Sequence, residues 1–248
     1  MLIYLPTAVD AAVRELLPEP PRAALDPRYI PDERVLDALY WQARTGCPWR
    51  WLPASFPSPA TCFRRRAAWI RAGVFERLLL AVRISTSERG LIDATFIECK
   101  QPLAERGWTK IGNGLRLQAI TDPEGRFSSV RIDSAGPAEA RTATLLLDPA
   151  NAPRELLADS AYDTRALREH AAGLGTRILT TRSWPSRKIP LNTPAEIESC
   201  RASRWPIERS FAWLKAHRSI SVCHARSIPA LTVSVALAVA AINLREDL

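Results

Sequence analysis

The sequence predicts an α/β protein in which an all-helical N-terminal domain precedes a domain built on a mixed β-sheet flanked by helices. Apolar residues recur at helical spacing up to about residue 85. From about residue 88 onward, strand-like segments alternate with helix-like segments, and the first strands precede the first helix. We therefore expect two domains, residues 1–86 and residues 87–248.

Composition and charge fit a folded protein that binds a polyanion. The chain has 248 residues, 47% of them hydrophobic, a net charge of +8 and a sequence pI of about 9.7. A basic surface attracts nucleic acid, and guanidinium groups bind phosphate through two hydrogen bonds, although charge alone also fits a merely soluble basic protein. Five cysteines without a CxxC pair argue against a disulfide framework or a zinc ribbon.

Nothing in the sequence predicts a membrane segment. The longest apolar run, residues 230–242, is shorter than the roughly 20 residues that a membrane-spanning helix needs. It is better explained as a buried helix that closes a core. The first ten residues also lack the basic region of a secretory signal. We expect a cytoplasmic, nucleoid-associated protein.

Three helices are predicted in the N-terminal domain. The first begins at Asp32 and ends at Gly46, the second has Ser58 as its cap and Pro59 in its first turn, and the third covers residues 74–82. The second helix carries the arginines Arg64, Arg65, Arg66 and Arg71. Three short helices with one arginine-rich helix are typical of a helix-turn-helix-like DNA-binding domain, and equally of a helical cap with a solvated basic face.

The second domain begins with a predicted antiparallel meander. Residues 91–97 and 115–121 form strands, and residues 128–132 return after a turn at 122–125 that contains proline and glycine. The later segments are predicted, in order, as helix 137–147, strand 155–158, helix 164–172, strand 177–181, helix 194–217 and helix 228–245. This order matches an RNase-H-like fold, with residues 184–192 as a flexible loop.

Three carboxylates carry the predicted chemistry. Asp93 lies inside an apolar strand, Asp159 ends another strand, and Glu208 lies on a helix. Each one alone has an ordinary explanation as a strand-edge residue, a helix cap or an ion-pair partner. Together they fit a two-metal site, because in-line displacement at phosphorus uses two divalent cations and Mg²⁺ prefers carboxylate oxygens. The set predicts a site that cuts and joins DNA.

Four segments resemble the DDE transposases of bacterial insertion sequences, in the IS4/IS5-like family. They are RTGCPWRWLP at 44–53, LIDAT at 91–95, LLADSAYD at 156–163, and the spacing of Arg204, Glu208 and Lys215. The chain departs from the family pattern at Arg201, where a Tyr is usual, at Ser160, where a Lys is common, and at 137–141, which lacks a His-Asp pair.

The resemblance implies an RNase-H-like catalytic domain that binds Mg²⁺, with Mn²⁺ able to substitute, through Asp93, Asp159 and Glu208. It also implies strand cleavage at the ends of a mobile element followed by strand transfer. Arg204 and Lys215 would contact DNA from the helix face that they share with Glu208. The expected partners are double-stranded DNA, as terminal inverted repeats and target, and a second copy of the chain.

Two other functions remain open from the sequence. A nuclease of the same fold would share the three acids, and a transposase-derived DNA-binding protein would bind element ends without cutting. The tryptophans Trp205 and Trp213 flank Glu208. Either ring could stack on a flipped base, but we expect both to pack in the core.

Overall fold

The computed structural model describes residues 3–19, 29–85, 88–137, 139–181 and 192–245. The loop predicted at 184–192 therefore lies, apart from Asn192, outside the described residues. Two compact units are present. The helical unit consists of the described residues of Met1–Val82, Cys99–Ala104 and Leu214–Asp247, and the sheet unit of those of Arg83–Glu98 and Glu105–Trp213. The assignment of residues 1–86 and 87–248 as functional domains stays a prediction.

The described residues form helices and one sheet. The helices are α1 (Thr7–Arg14), α2 (Asp32–Thr45), α3 (Pro59–Arg71), α4 (Val74–Ala81), α5 (Glu139–Ala143), α6 (Arg165–Gly173), α7 (Pro194–Ala202), α8 (Trp205–Lys215), α9 (Arg218–Ser221) and α10 (Ile228–Asn243). The strands are β1 (Arg89–Glu98), β2 (Gly107–Thr109), β3 (Gly112–Thr121), β4 (Phe127–Ser134), β5 (Glu155–Ala158) and β6 (Arg177–Thr180).

In the helical unit, the helix ends follow the local sequence signals. Helix α2 stops at Gly46, whose φ of 66° is left-handed and therefore favours glycine. The side chain of Ser58 caps α3 by accepting a hydrogen bond from the Thr61 amide at 3.3 Å. These boundaries and the helix α4 confirm the three helices predicted for this part of the chain.

Helix α10 is buried along nearly its whole length, as expected for the apolar run at 230–242. Its last residue, Asn243, donates a hydrogen bond from its side-chain amide to the Val82 carbonyl at 2.8 Å. Among the described residues, no helix is both long and apolar enough to cross a membrane.

The sheet unit contains a six-stranded mixed sheet in the order β2-β3-β1-β5-β6, with β4 also paired to β3. Strands β1, β3 and β4 form the predicted antiparallel meander, and β1, β5 and β6 are parallel neighbours. One face of the sheet packs under α5 and α6. Its buried core is built from Ile92, Ile120, Ala143, Leu146, Leu147, Leu156, Ala158, Tyr162, Leu167, Ala171 and Ile178. The predicted mixed α/β fold is confirmed.

Two predicted helices in the sheet unit differ from the structure. The helix expected at 137–147 is limited to α5, after which the Thr144 hydroxyl donates a hydrogen bond to the Arg141 carbonyl at 3.1 Å and so competes with helix continuation. The helix expected at 194–217 is broken into α7 and α8. Pro206 has no amide hydrogen for a bond to the preceding turn, which explains the break. The elements α1, α9 and β2 were not predicted.

Candidate catalytic site

The parallel pairing of β1 with β5 brings Asp93 and Asp159 together. Gly90 pairs with Leu156 and Leu91 with Leu157. Continuing this register by two residues places Asp93 level with Asp159, just past the end of β5. Because side chains alternate along a strand, residues two positions beyond a matched pair return to its face of the sheet. Two acids far apart in sequence thus become neighbours.

A single arginine joins these two carboxylates. The Nη2 atom of Arg204 lies 2.6 Å from Oδ2 of Asp93, and Nη1 lies 3.8 Å from Oδ2 of Asp159. The Arg204 side chain is only 12% exposed, and its buried Nε has no hydrogen-bond partner among the described residues. One positive charge is therefore shared between two negative charges.

Each carboxylate is also held by a local donor. The Ala94 amide donates to Oδ1 of Asp93 at 2.8 Å, and the Ser160 hydroxyl donates to Oδ1 of Asp159 at 2.9 Å. Burial raises the pKa of Asp93, which the Arg204 charge and the Ala94 amide oppose without cancelling. The fold therefore disfavours the ionised form of Asp93, and a cation bound beside this carboxylate would stabilise that form.

Arg204 reaches the acids from the break between α7 and α8. Arg204 directly precedes the first residue of α8, and its guanidinium is directed to Asp93, whereas Glu208 is exposed to solvent. The prediction that Arg204 shares one helix face with Glu208 and Lys215 is therefore wrong. The break that Pro206 introduces gives Arg204 its separate direction. Lys215 ends α8 and is half-buried, and burial lowers the pKa of its amine.

Glu208 does not join the Asp93–Asp159 pair in this structure. It lies in the first turn of α8 and is exposed. Within the described part of the chain it has no hydrogen-bond or ion-pair partner, and no three His, Cys, Asp or Glu side chains are grouped as a metal would require. Its role as the third metal ligand stays a prediction.

A further acid, Glu139, lies close enough to Asp93 and Asp159 for their charges to affect its pKa, and it is not among the residues predicted from the sequence. Burial raises the pKa of Glu139, and the negative charges of Asp93 and Asp159 raise it further, against the opposing charge of Arg116. The Arg116 Nε lies 3.6 Å from the Glu139 carboxylate. The available sequence signal was an acid opening a helix directly after the third strand of the meander.

A polar network behind the pair fixes the turn that follows Asp159. The Tyr162 amide donates to the Asp159 carbonyl at 3.0 Å. The Tyr162 ring is fully buried, and its hydroxyl lies 3.4 Å from the amide nitrogen of Gln118. That nitrogen also donates to the Glu139 carbonyl at 2.9 Å, and Thr142 donates to the Gln118 oxygen at 2.5 Å. The network ties Glu139 and the Asp159 turn to the same point on β3.

Two family models match this chain. Residues 84–244 match the family model of the transposase DDE domain, and residues 11–79 match DUF4096, a family described as a transposase of the IS4/5 family. The chain belongs to the DDE transposases. The resemblance to insertion-sequence transposases is confirmed.

Two individual proteins are similar to this chain. The uncharacterized protein y4sN of Sinorhizobium fredii is 37% identical over 70 residues, which are 28% of this chain and 56% of that protein. The match thus spans little more than half of the relative. A structure of the piggyBac transposase, a synaptic complex with hairpin DNA, aligns at a TM-score of 0.55 and 10% identity over 96% of this chain and 70% of that one. The likeness confirms the RNase-H-like fold.

The arginines of α3 fall into two pairs. Arg65 forms an ion pair with Asp32, and Arg66 donates to the Ala230 carbonyl at 2.8 Å. Arg64 and Arg71 are exposed. DNA binding by the whole cluster stays a prediction, and only the exposed pair presents its guanidinium groups to solvent.

The prediction that Trp205 packs in the core is wrong, since it is 56% exposed. The guanidinium of Arg209 lies 4.4 Å from the Trp205 ring and 4.6 Å from the Trp213 ring. Arg209 also donates to the Glu124 carbonyl at 2.6 Å. Trp205 is therefore held at the surface by its contact with Arg209, because a cation over the face of an indole ring is a favourable interaction.

Replacing Glu139 tests the charge balance of the site. The pKa of Glu139 is higher in the folded protein than in the unfolded chain, so ionisation of Glu139 lowers the free energy of unfolding. This destabilisation disappears as the pH falls through the pKa of the folded state, because Glu139 is then protonated. We expect Glu139→Gln to raise the Tm of the metal-free protein near pH 8, by a difference that shrinks towards pH about 4. Thermal melts across this pH range measure the effect.

The matched control has the opposite sign. The Thr193 amide lowers the pKa of Glu196, so its ionised form stabilises the fold above the ordinary carboxyl pKa. Glu196→Gln should therefore lower the Tm at neutral pH. A Glu139→Gln variant that melts below wild type at every pH would show that the Arg116 ion pair outweighs burial.

Proposed function

We propose that this chain is an active DNA transposase, which cleaves strands at the ends of an insertion sequence and transfers them to target DNA with Mg²⁺ bound at Asp93 and Asp159. The single observation that supports this most strongly is the guanidinium of Arg204 between the two carboxylates. An acid pair that already shares the positive charge of one arginine is suited to hold a metal cation in its place.

The donor set fits a divalent metal ion. Carboxylate oxygens are the ligands that Mg²⁺ prefers, and Mn²⁺ accepts the same ligands. Asp93 and Asp159 would hold the metal, and Glu208 is the third acid by its place in the family motif. When bound, the metal supplies activation of the attacking hydroxyl and stabilisation of the leaving oxygen.

The surrounding residues would orient the acids and the phosphate. The Ala94 amide and the Ser160 hydroxyl each occupy one oxygen of a carboxylate, which fixes the direction of the other oxygen. Arg204, after a metal ion has replaced it between the two acids, would bind a DNA phosphate. Lys215 would bind a second phosphate. Guanidinium groups bind phosphate in a bidentate way, which restricts the position of the scissile bond.

The partners follow from the reaction. Double-stranded DNA would be bound both as the terminal inverted repeats of the element and as the target. Two element ends must be cut in a coordinated way, so we propose that two copies of the chain act together on DNA. The exposed Arg64 and Arg71 of α3 are the proposed phosphate contacts of the helical unit.

A cleavage assay tests the proposal directly. Duplexes carrying the DNA that flanks the gene on each side are incubated with the full chain, with Mg²⁺ or with EDTA. The expected result is strand cleavage that requires the metal and the flanking sequence. Binding of the flanking duplex without any cleavage in Mg²⁺ or Mn²⁺ would instead identify a DNA-binding protein that does not cut.

The α3 arginines predict a specific salt dependence. Each phosphate contact contributes about 0.9 to the slope of log affinity against log salt on duplex DNA. Arg64→Gln with Arg71→Gln should reduce the slope by up to about 2 and leave the Tm unchanged, because both side chains are exposed. Arg66→Gln removes a hydrogen bond to the Ala230 carbonyl, so it should lower the Tm and leave the salt slope unchanged. Unchanged slopes in the double variant would remove α3 from the DNA interface.

A further inference from the structure

The hairpin formed by β2 and β3 (residues 107–114, the edge hairpin) presents two large apolar side chains to solvent. Trp108 is 70% exposed and Ile111 is 77% exposed, the two highest values among the large hydrophobic residues that the structure describes. Exposing so much apolar surface at the tip of a hairpin is unfavourable in water. The proposed catalytic site does not use either residue.

The tip of the edge hairpin has a defined local structure. Trp108 pairs with Asn113 and Thr109 with Gly112 across the two strands. The Thr109 hydroxyl closes the turn, because it donates to the Gly112 carbonyl at 3.1 Å and accepts from the Ile111 amide at 3.2 Å. Trp108 is therefore held on a paired strand and Ile111 on an ordered β-turn.

Close backbone packing fixes the base of the edge hairpin on the sheet. A Cβ atom at Gly107 would overlap the Gly136 amide nitrogen, and one at Gly114 would overlap the Ile97 carbonyl and the Phe96 ring. Only glycine fits at these two positions. The hairpin is thus anchored where it joins the sheet and exposed where it carries Trp108 and Ile111.

Charge selects the kind of partner. Lys110 lies between the two apolar residues and is the one charged residue within the edge hairpin. Arg106 and Glu105 precede the hairpin, Glu98 pairs with Gly114 at its base, and all four charged residues are exposed. An aromatic ring and an aliphatic side chain beside a cation suit duplex DNA, because apolar side chains insert between base steps in the minor groove while phosphates pair with cations. A second copy of the chain would bring its own Lys110 to the same contact, and the two positive charges would repel each other.

We propose that the edge hairpin is a DNA-binding element, in which Trp108 and Ile111 contact bases or sugars and Lys110 contacts phosphate. This inference rests on the proposed function. Strand β3 runs without interruption from Gly112 to Ala119, which pairs with Asp93. At about 3.4 Å per residue, the hairpin contacts DNA roughly 24 Å from the catalytic acids, or about seven base pairs along a duplex.

Binding measurements on surface variants test the proposal. The probe is a fluorescein-labelled duplex carrying the DNA that flanks the gene, titrated with the full chain in EDTA. Trp108→Ala with Ile111→Ser should weaken binding by about tenfold or more at unchanged Tm. Lys110→Gln should reduce the salt slope by about 1. The matched control is Leu145→Ser, which removes another exposed apolar side chain (63%) and should bind like wild type.

The outcomes separate this inference from the proposed function. If wild type binds the duplex and the Trp108/Ile111 variant binds it equally well, the edge hairpin is not a DNA contact while the transposase proposal stands. Equal DNA binding with loss of self-association would assign the hairpin to an interface between copies and overturn the inference. If wild type itself binds no DNA, both proposals fail.

Discussion

Asp93→Asn and Asp159→Asn, each alone, should reduce DNA cleavage by at least about 10³-fold, because a metal-ion site supplies several kcal/mol of transition-state stabilisation. Both acids face one point of the sheet, and each has a local donor that fixes one oxygen. Replacing a carboxylate by an amide removes the negative charge and keeps the shape. DNA affinity in EDTA should change little. Product formation on the flanking duplex and binding of that duplex are the two measurements.

Asp148→Asn is the matched control for this experiment. Asp148 lies in the same unit, 45% exposed, and pairs with Arg83 at 2.9 Å. Its replacement should leave cleavage near the wild-type rate. Wild-type cleavage by either Asp93→Asn or Asp159→Asn would contradict the site. Loss of both binding and folding, seen as a lower Tm, would show a structural role instead.

Arg204→Gln should act in two opposite directions. Without Arg204 the acids lose their shared counter-ion, so the metal-free protein should be destabilised by about 1–3 kcal/mol, less than for a fully buried pair because Asp159 is half-exposed. Mn²⁺ should then bind more tightly by about tenfold, since no internal cation competes with it. Cleavage should nevertheless fall by about 10–100-fold if Arg204 also holds phosphate.

Arg165→Gln controls for the loss of an arginine elsewhere in the sheet unit. Arg165 is 91% exposed and pairs with Glu169 on the surface of α6, so its replacement should change stability and Mn²⁺ affinity little. Isothermal titration with Mn²⁺ and thermal melts give both readouts. An Arg204→Gln variant that binds Mn²⁺ no more tightly than wild type would show that the arginine and the metal do not share a position.

The sequence was sufficient to predict the fold and the proximity of Asp93 and Asp159, whose role as metal ligands stays a prediction. Asp93 and Asp159 stand out because each interrupts or ends a strongly apolar strand, and the strand order decides that β1 and β5 are neighbours. Apolar strand segments, and acids that interrupt or end them, depend on residues close together in the chain, so both can be recognised from the sequence.

Features that depend on tertiary structure were not predictable. Arg204 was placed on a helix face, whereas Pro206 breaks the helix and directs the arginine to two acids more than 40 residues earlier. The one sequence signal for Glu139, an acid that opens a helix, is common to many helices, and its importance arises from charges that folding brings near it. The edge hairpin was missed because β2 is three residues long and offers no periodicity.

Anomalous diffraction from crystals of the chain grown with Mn²⁺ and the flanking duplex tests most directly whether Asp93 and Asp159 form the metal site of a DNA-cutting centre. The predicted result is an anomalous peak between the two carboxylates, with the guanidinium of Arg204 moved from its place between them. No peak there at saturating Mn²⁺, with Arg204 still paired to Asp93, would contradict the account.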